Sequence, residues 1–135
     1  MKNISKIRKN IDSNYMEIYA DYFGCSLLTL FTQDNLEFET IEDEVEAFLY
    51  LLKKFIDSGL ILVVSPLSGE KEKIIQNIKF WDTTSDTIIE YIRQKLPKNL
   101  NSLYGRINDN DSFVKFWYKD CPDIRWVNRK TGKIY

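Results

Sequence analysis

The spacing of apolar residues predicts a helix in the middle of the chain. Thr40 is a favourable N-cap because its hydroxyl can accept a hydrogen bond from the first turn, and Asp43 completes a partial capping box. Gly59 tolerates the left-handed backbone that often ends a helix. Between them, apolar residues recur at steps of three and four: Ile41, Val45, Phe48, Leu49, Leu52, Phe55 and Ile56. We therefore expect one face of this helix to lie in the core.

Two helices are predicted before it. The first begins near Asp12 or Ser13, since both residue types cap helices, and ends at Gly24. Its apolar positions are Tyr15, Met16, Ile18, Tyr19, Tyr22 and Phe23. Ser26 is then placed to cap a short second helix that runs to Phe31.

A hairpin is predicted after the central helix. Residues 60–64 are continuously apolar, and the pair Ser65 and Pro66 ends this run. The polar residues up to Lys73 indicate a loop that leads to a second strand over residues 74–81. We expect these two runs to pair.

The next segment predicts another helix, capped by Asp82, Thr83 or Thr84 and ended by Pro97. Its inward positions are Ile88, Ile89, Ile92 and Leu96.

The C-terminal segment, residues 113–127, contains two aromatic-rich runs on either side of Cys121 and Pro122. Aromatic and β-branched residues favour strands, while proline cannot donate to a ladder, so the pattern predicts two short strands and a bend. Residues 128–132 predict a turn that returns Ile134 and Tyr135 to the sheet.

These elements define an α+β fold. We expect a single domain over residues 1–135, with three to four helices packed on one face of a small antiparallel sheet of two hairpins. The element order in the N-terminal half, helices followed by a hairpin, is that of a winged helix.

The composition argues against most catalytic chemistry. The chain has no histidine, which is the usual general base and a common metal ligand. Its two cysteines, Cys25 and Cys121, are far apart and belong to no Cys-x-x-Cys pair, so we interpret both as reduced, small buried side chains. We expect no catalysis, no cofactor and no metal.

Targeting signals are not evident. The first ten residues are basic but are not followed by the apolar region of a secretory signal. Apolar runs stay well below the ~20 residues that cross a bilayer. We therefore expect a cytoplasmic protein that does not bind membranes.

The net charge of −1 conceals an uneven distribution. Residues 34–46 contain seven carboxylates and neither lysine nor arginine, whereas residues 124–135 contain four cations and no acid. Carboxylates in the first helical turn complement the helix dipole. Asp34, Glu37 and Glu39 precede the helix, however, so they point to a second role, the attraction of a basic partner.

The aromatic segment supplies the other candidate contacts. Trp117 and Tyr118 cannot both face the core of a strand, and exposed aromatic residues are enriched at binding hot spots. The candidate partner-binding residues are Asp34, Glu37, Glu39, Glu42, Asp43, Glu46, Trp117, Tyr118, Asp120 and Asp123.

Residues 116–127 also carry a family resemblance. The sequence Trp-Tyr, an acidic residue, Cys-Pro and then Ile-x-Trp-Val resembles a family of small bacterial proteins of unassigned chemistry. Members are often encoded beside polymorphic, contact-dependent toxins. The resemblance implies an immunity protein, which binds and neutralises a cognate toxin domain. The acidic stretch indicates that this toxin is basic, and a nuclease is the expected kind because its substrate groove must attract phosphates.

Two alternatives remain open. A winged-helix regulator would bind nucleic acid, but its recognition helix, residues 40–58, would begin with two acidic turns that repel DNA. A small enzyme would lack a phosphate loop, a nucleophile elbow and a metal-spaced cluster. We therefore expect a protein partner and no nucleic acid, while the oligomeric state stays open.

Overall fold

The computed structural model describes residues 2–31, 38, 40–66, 71–96 and 115–135. The described elements confirm the α+β class and are, in chain order, α1 (Lys2–Tyr22), α2 (Leu27–Phe31), α3 (Ile41–Asp57), β1 (Ile61–Val63), β2 (Glu72–Ile75), β3 (Ile78–Trp81), α4 (Ser85–Lys95), a π-helical turn (Phe116–Asp120) and β4 (Ile124–Trp126).

Local capping residues set the helix ends. The hydroxyl groups of Ser26, Thr40 and Thr84 accept hydrogen bonds from backbone N–H groups in the first turns of α2, α3 and α4, at 3.3, 3.1 and 3.2 Å. Gly24 and Gly59 adopt φ values of +86° and +72° after α1 and α3, as the sequence predicts.

Helix α1 begins about ten residues earlier than predicted, so a start at Asp12 or Ser13 is wrong. Ile7 and Ile11 are buried, and Ile4 packs against the core. Because these three residues continue the three- and four-residue spacing, the apolar stripe extends through the basic N-terminal segment. The cationic side chains between them conceal this stripe in the sequence.

The strand pairing differs from the predicted pair of hairpins. Strand β1 pairs with β4 in antiparallel register, with Ile61 opposite Trp126 and Val63 opposite Ile124. The predicted single strand over residues 74–81 is instead a hairpin of β2 and β3. Gln76 and Asn77 form its turn, with φ values of +53° and +66°, and asparagine tolerates this left-handed region better than most residues.

Two bridges lie beyond the strand ends, and the first of them connects the two sheets. Val64 forms an antiparallel bridge with Phe80. The predicted pairing of residues 60–64 with residues 74–81 is therefore limited to this bridge at the end of the first run. At the C-terminus, Val127 bridges Ile134, and the N–H and C=O groups of Trp126 bond to Tyr135. The predicted return of the last residues to the sheet is therefore confirmed.

The core lies around α3. Leu51, Leu52 and Phe55 are buried on this helix, which packs against α1, α2 and α4. Trp126 from β4 reaches the same core, and its ring lies 5.8 Å from that of Phe55. Among the described helices, none has both the length and the apolar character needed to cross a bilayer.

Candidate functional site

The segment before β4 is a helical turn, so the first of the two predicted C-terminal strands is wrong within the described residues. The Cys121 N–H donates to the Phe116 carbonyl at 2.7 Å and closes a π-helical turn over Phe116–Asp120. Phe116 is fully buried, and the Trp117 ring packs against those of Phe31 and Phe48, at 5.2 and 5.7 Å. Packing against α2 and α3 thus overrides the strand propensity of these aromatic residues.

Trp117 and Tyr118 differ in exposure, as the sequence predicts, although a helical turn rather than strand alternation separates them. Trp117 is half-buried against the core. The Tyr118 side chain is 79% exposed. Aromatic surface of this size is costly to leave in water, and it is frequent at binding hot spots.

A groove of about 250 Å³ lies beside Tyr118. We refer to it as the Tyr118 groove. It forms where the start of α2 meets the π-helical turn and the first residue of β4. Its lining residues are Ser26, Leu27, Leu28, Trp117, Tyr118, Cys121, Pro122, Asp123 and Ile124. Sequence reasoning missed the contribution of residues 26–28 and Ile124, because no local pattern shows that these distant segments meet.

One carboxylate, that of Asp123, lines the groove. Asp123 is exposed; its Oδ1 accepts the Ile124 N–H at 3.0 Å, and its Oδ2 accepts a bond from Arg125 at 2.7 Å. Asp120 ends the π-helical turn and is partly exposed. The structure therefore places Tyr118 and Asp123 on one groove, whereas Asp120 is not among the residues that line it.

The acidic stretch divides into three parts. Asp34, Glu37 and Glu39 lie outside the described residues. Glu42 is exposed at the first turn of α3. Asp43 is only 4% exposed, and its Oδ1 has no hydrogen-bond partner among the described residues. Asp43 therefore presents almost no surface to a partner, contrary to its place among the candidate contacts, because the first turn of α3 directs it inward.

Glu46 is engaged within the fold. Its carboxylate accepts hydrogen bonds from both terminal nitrogens of Arg93 on α4. The distance from Arg93 Nη2 to Glu46 Oε2 is 3.1 Å. The Arg93 guanidinium lowers the pKa of Glu46 from its ordinary value. The structure thus assigns Glu46 to the contact between α3 and α4, and its carboxylate is not free for a partner.

The Glu46–Arg93 pair yields a prediction about pH. Since the pKa is depressed in the folded state, the stabilisation is present above the ordinary value of 4.5 and is lost as pH falls through the lower folded value. Glu46→Gln should lower the free energy of unfolding at pH 7 by roughly 0.5–1 kcal/mol, a modest effect because the pair is partly exposed. Denaturant unfolding should show this difference shrinking below pH 4.5.

The matched control is Glu90→Gln. Glu90 lies 3.9 Å from the same guanidinium and makes a looser contact. Glu90→Gln should therefore lower the free energy of unfolding by less than Glu46→Gln does at neutral pH. Equal losses from both variants, or a loss at Glu46 that does not depend on pH, would contradict the assignment.

Both cysteines are free thiols and are partly exposed, rather than fully buried as expected. The Cys121 sulfur is nevertheless enclosed by protein, and burial raises the pKa of this thiol to about 12, with a smaller contribution from Asp123. Because the thiolate is the nucleophile, Cys121 is poorly suited to covalent chemistry at neutral pH.

Cys121 should therefore resist alkylation. At pH 8, iodoacetamide should alkylate the Cys121 thiol much more slowly than it alkylates the thiol of glutathione. Cys121→Ser should lower the free energy of unfolding by about 1–3 kcal/mol, because the hydroxyl loses water on burial. Cys121→Ala, which adds no polar group, isolates that cost. Rapid alkylation, or a serine variant whose stability equals that of wild type, would contradict this interpretation.

The bend and the start of α3 occupy one region of the molecule. Trp117 contacts Phe48, and Glu44 precedes Phe48 by one helical turn on the same face. The π-helical turn therefore packs against the second turn of α3, next to the end of the acidic stretch. Among the described residues, no cluster of three or more His, Cys, Asp or Glu side chains is arranged to hold a metal ion.

Comparison with known proteins extends the description of the fold. No family model matches the sequence, and no curated protein matches it. Among solved structures, it is similar to an uncharacterized protein conserved in bacteria, from Neisseria meningitidis. The TM-score is 0.70 at 15% identity, and the match covers 99% of this chain and 92% of that chain. A likeness at this identity shows a shared fold alone.

Proposed function

We propose that this chain is an immunity protein. It binds a cognate, basic toxin domain of the contact-dependent growth inhibition type in the cytoplasm and neutralises it by stoichiometric association. A nuclease domain is the expected toxin, because its substrate groove must attract phosphates and would therefore also attract carboxylates. The family resemblance of residues 116–127 supports this assignment.

The exposed Tyr118, beside a groove that Asp123 also lines, is the observation that carries the proposal. Tyr118 is a large aromatic side chain that the fold leaves in water, whereas neighbouring Phe116 is buried. An exposed aromatic residue provides an anchor of the kind that dominates binding energy at protein interfaces. Asp123 lines the same groove and adds negative charge, which suits a cationic partner.

The acidic residues would act mainly on the rate of association. Charge of one sign steers an oppositely charged partner towards the surface before contact, whereas residence time depends on the buried anchors. An inhibitor that must capture a toxin before it acts benefits from fast association. Among the described carboxylates of the acidic stretch, Glu42 on α3 is the exposed one and would take part in this steering.

Co-expression tests the proposal. The reading frame directly upstream should encode the C-terminal toxin region of a large secreted protein. Inducing that region in a bacterial host should stop growth, and co-expression of this chain should restore it. A non-cognate immunity protein is the control for specificity. An upstream metabolic gene, or a toxic domain that this chain does not neutralise, would overturn the proposal.

The acidic stretch gives a kinetic prediction. Changing Asp34, Glu37 and Glu39 to Asn or Gln should slow association several-fold at low salt and flatten its salt dependence, while the unfolding midpoint stays nearly unchanged. Stopped-flow association measured at several ionic strengths provides the first result, and thermal melts provide the second.

A charge-matched variant is the control. Neutralising Glu17, Glu72 and Asp82, which are exposed outside the acidic stretch, changes the net charge equally. It should slow association less. If both variants associate equally fast, or if the first associates as fast as wild type at low salt, steering by residues 34–39 is disproved.

A further inference from the structure

We propose that the Tyr118 groove receives one arginine or lysine side chain of the partner. That this side chain belongs to a toxin domain rests on the proposed function. The preference of the groove for a cation rests on its own geometry and can be tested without a toxin.

Four of the seven tyrosine rings that the structure describes have a cation of the same chain over them. Arg8 lies over the Tyr50 ring, Lys54 over Tyr15, Lys95 over Tyr91 and Lys133 over Tyr135, all at 5.2–5.6 Å from the ring centroid. In the part of the chain that the structure describes, Tyr118 has neither a cation nor another aromatic ring against it, although it is the most exposed of the large hydrophobic side chains. Its π-face is open to a cation from another molecule.

The groove walls suit the methylene groups of a basic side chain. Leu27, Leu28 and Ile124 provide apolar surface, and the volume of about 250 Å³ accommodates a single long side chain. Lysine and arginine bury their methylene groups along such surface while the charged group stays at a polar edge. An apolar floor below an aromatic wall therefore matches a basic residue along its full length.

The polar edge carries negative charge. Asp123 lines the groove, and each of its oxygens already accepts one bond, from Ile124 N–H or from Arg125. A carboxylate oxygen can accept a second donor, so a guanidinium can share this carboxylate with Arg125. Lys119, also exposed on the π-helical turn, is not among the residues that line the groove.

Amide NMR of the ¹⁵N-labelled full chain tests the inference. The probe is the blocked peptide acetyl-Gly-Arg-Gly-amide, and the matched probe contains norleucine, which keeps the methylene groups without the charge. The arginine peptide should shift the resonances of Leu28, Tyr118 and the Trp117 indole in a saturable way. Ile74, exposed on the β2–β3 hairpin, should not move.

Substitutions at position 118 separate the contributions. Tyr118→Phe keeps the π-face and should bind as wild type, whereas Tyr118→Leu should bind about two- to five-fold more weakly. Asp123→Asn should also weaken binding. Absent groove shifts, equal shifts with the norleucine peptide, or undiminished binding by Tyr118→Leu would overturn the inference. Because no toxin is present, these results are independent of the co-expression test.

Discussion

Replacing Trp126 by alanine should lower the free energy of unfolding by about 3–5 kcal/mol, the range seen when a large buried aromatic residue is truncated. Trp126 is 2% exposed, and its ring contacts those of Tyr19, Phe23 and Phe55 at 5.8–5.9 Å. Its indole N–H donates to the Cys25 carbonyl at 2.8 Å. The alanine variant loses all of these contacts and leaves a cavity.

Chemical denaturation at pH 7 measures this effect. Trp126→Phe is the matched control, because it keeps a ring but loses the N–H bond, and it should cost less than the alanine variant. A loss below ~1 kcal/mol for Trp126→Ala would contradict the packing of β4 against α1 and α3. Toxin binding by the surviving folded fraction should be unchanged, since Trp126 is not at the candidate surface.

Replacing Tyr118 by alanine should have the opposite effects on the two quantities: affinity should fall while stability is kept. We expect affinity for the cognate toxin to fall by about 30-fold, equivalent to ~2 kcal/mol, the threshold of a binding hot spot. Stability should stay within about 0.5 kcal/mol of wild type, because the side chain is exposed. Isothermal titration calorimetry and thermal melts measure the two quantities.

Ile74→Ala provides the control for Tyr118→Ala. Ile74 is 67% exposed on β2, so its truncation also removes a large exposed apolar side chain. It should leave affinity unchanged. If Tyr118→Ala binds as tightly as wild type while Ile74→Ala does not, the interface lies on the hairpin and the proposed surface is wrong.

The helices were largely predictable because their ends are determined locally. Thr40, Thr84, Gly24 and Gly59 act through contacts within a few residues of themselves, which a single sequence displays. The start of α1 was also encoded, by Ile4, Ile7 and Ile11, although basic residues interrupt it.

The sheet was less predictable because its pairing is determined over long distances. Residues 60–64 and 74–81 are near in sequence and suggest a hairpin, but β1 pairs along its length with β4, some 60 residues away. The turn at Gln76 and Asn77 lacks the glycine that most clearly marks a hairpin. Asn77, with alternating residues on both sides, was the available signal.

The candidate site shows the same division between features that are determined locally and features that depend on distant segments. Sequence selected Tyr118 as one of two candidate exposed aromatic residues and Asp123 as a residue of the bend, but the groove forms only when residues 26–28 meet residues 117–124. Charge alone selected Asp43 and Glu46, whereas their engagement within the fold depends on burial and on Arg93. Sequence thus identified residue types suited to binding, and tertiary contacts determined which of them are available.

The most direct test of the immunity function is a titration of the purified cognate toxin domain with this protein, followed by the toxin's own activity. Tight stoichiometric inhibition predicts that activity falls linearly and reaches its minimum at molar equivalence, with Tyr118→Ala requiring a large excess. Toxin that remains fully active in the presence of excess wild-type protein would contradict the account.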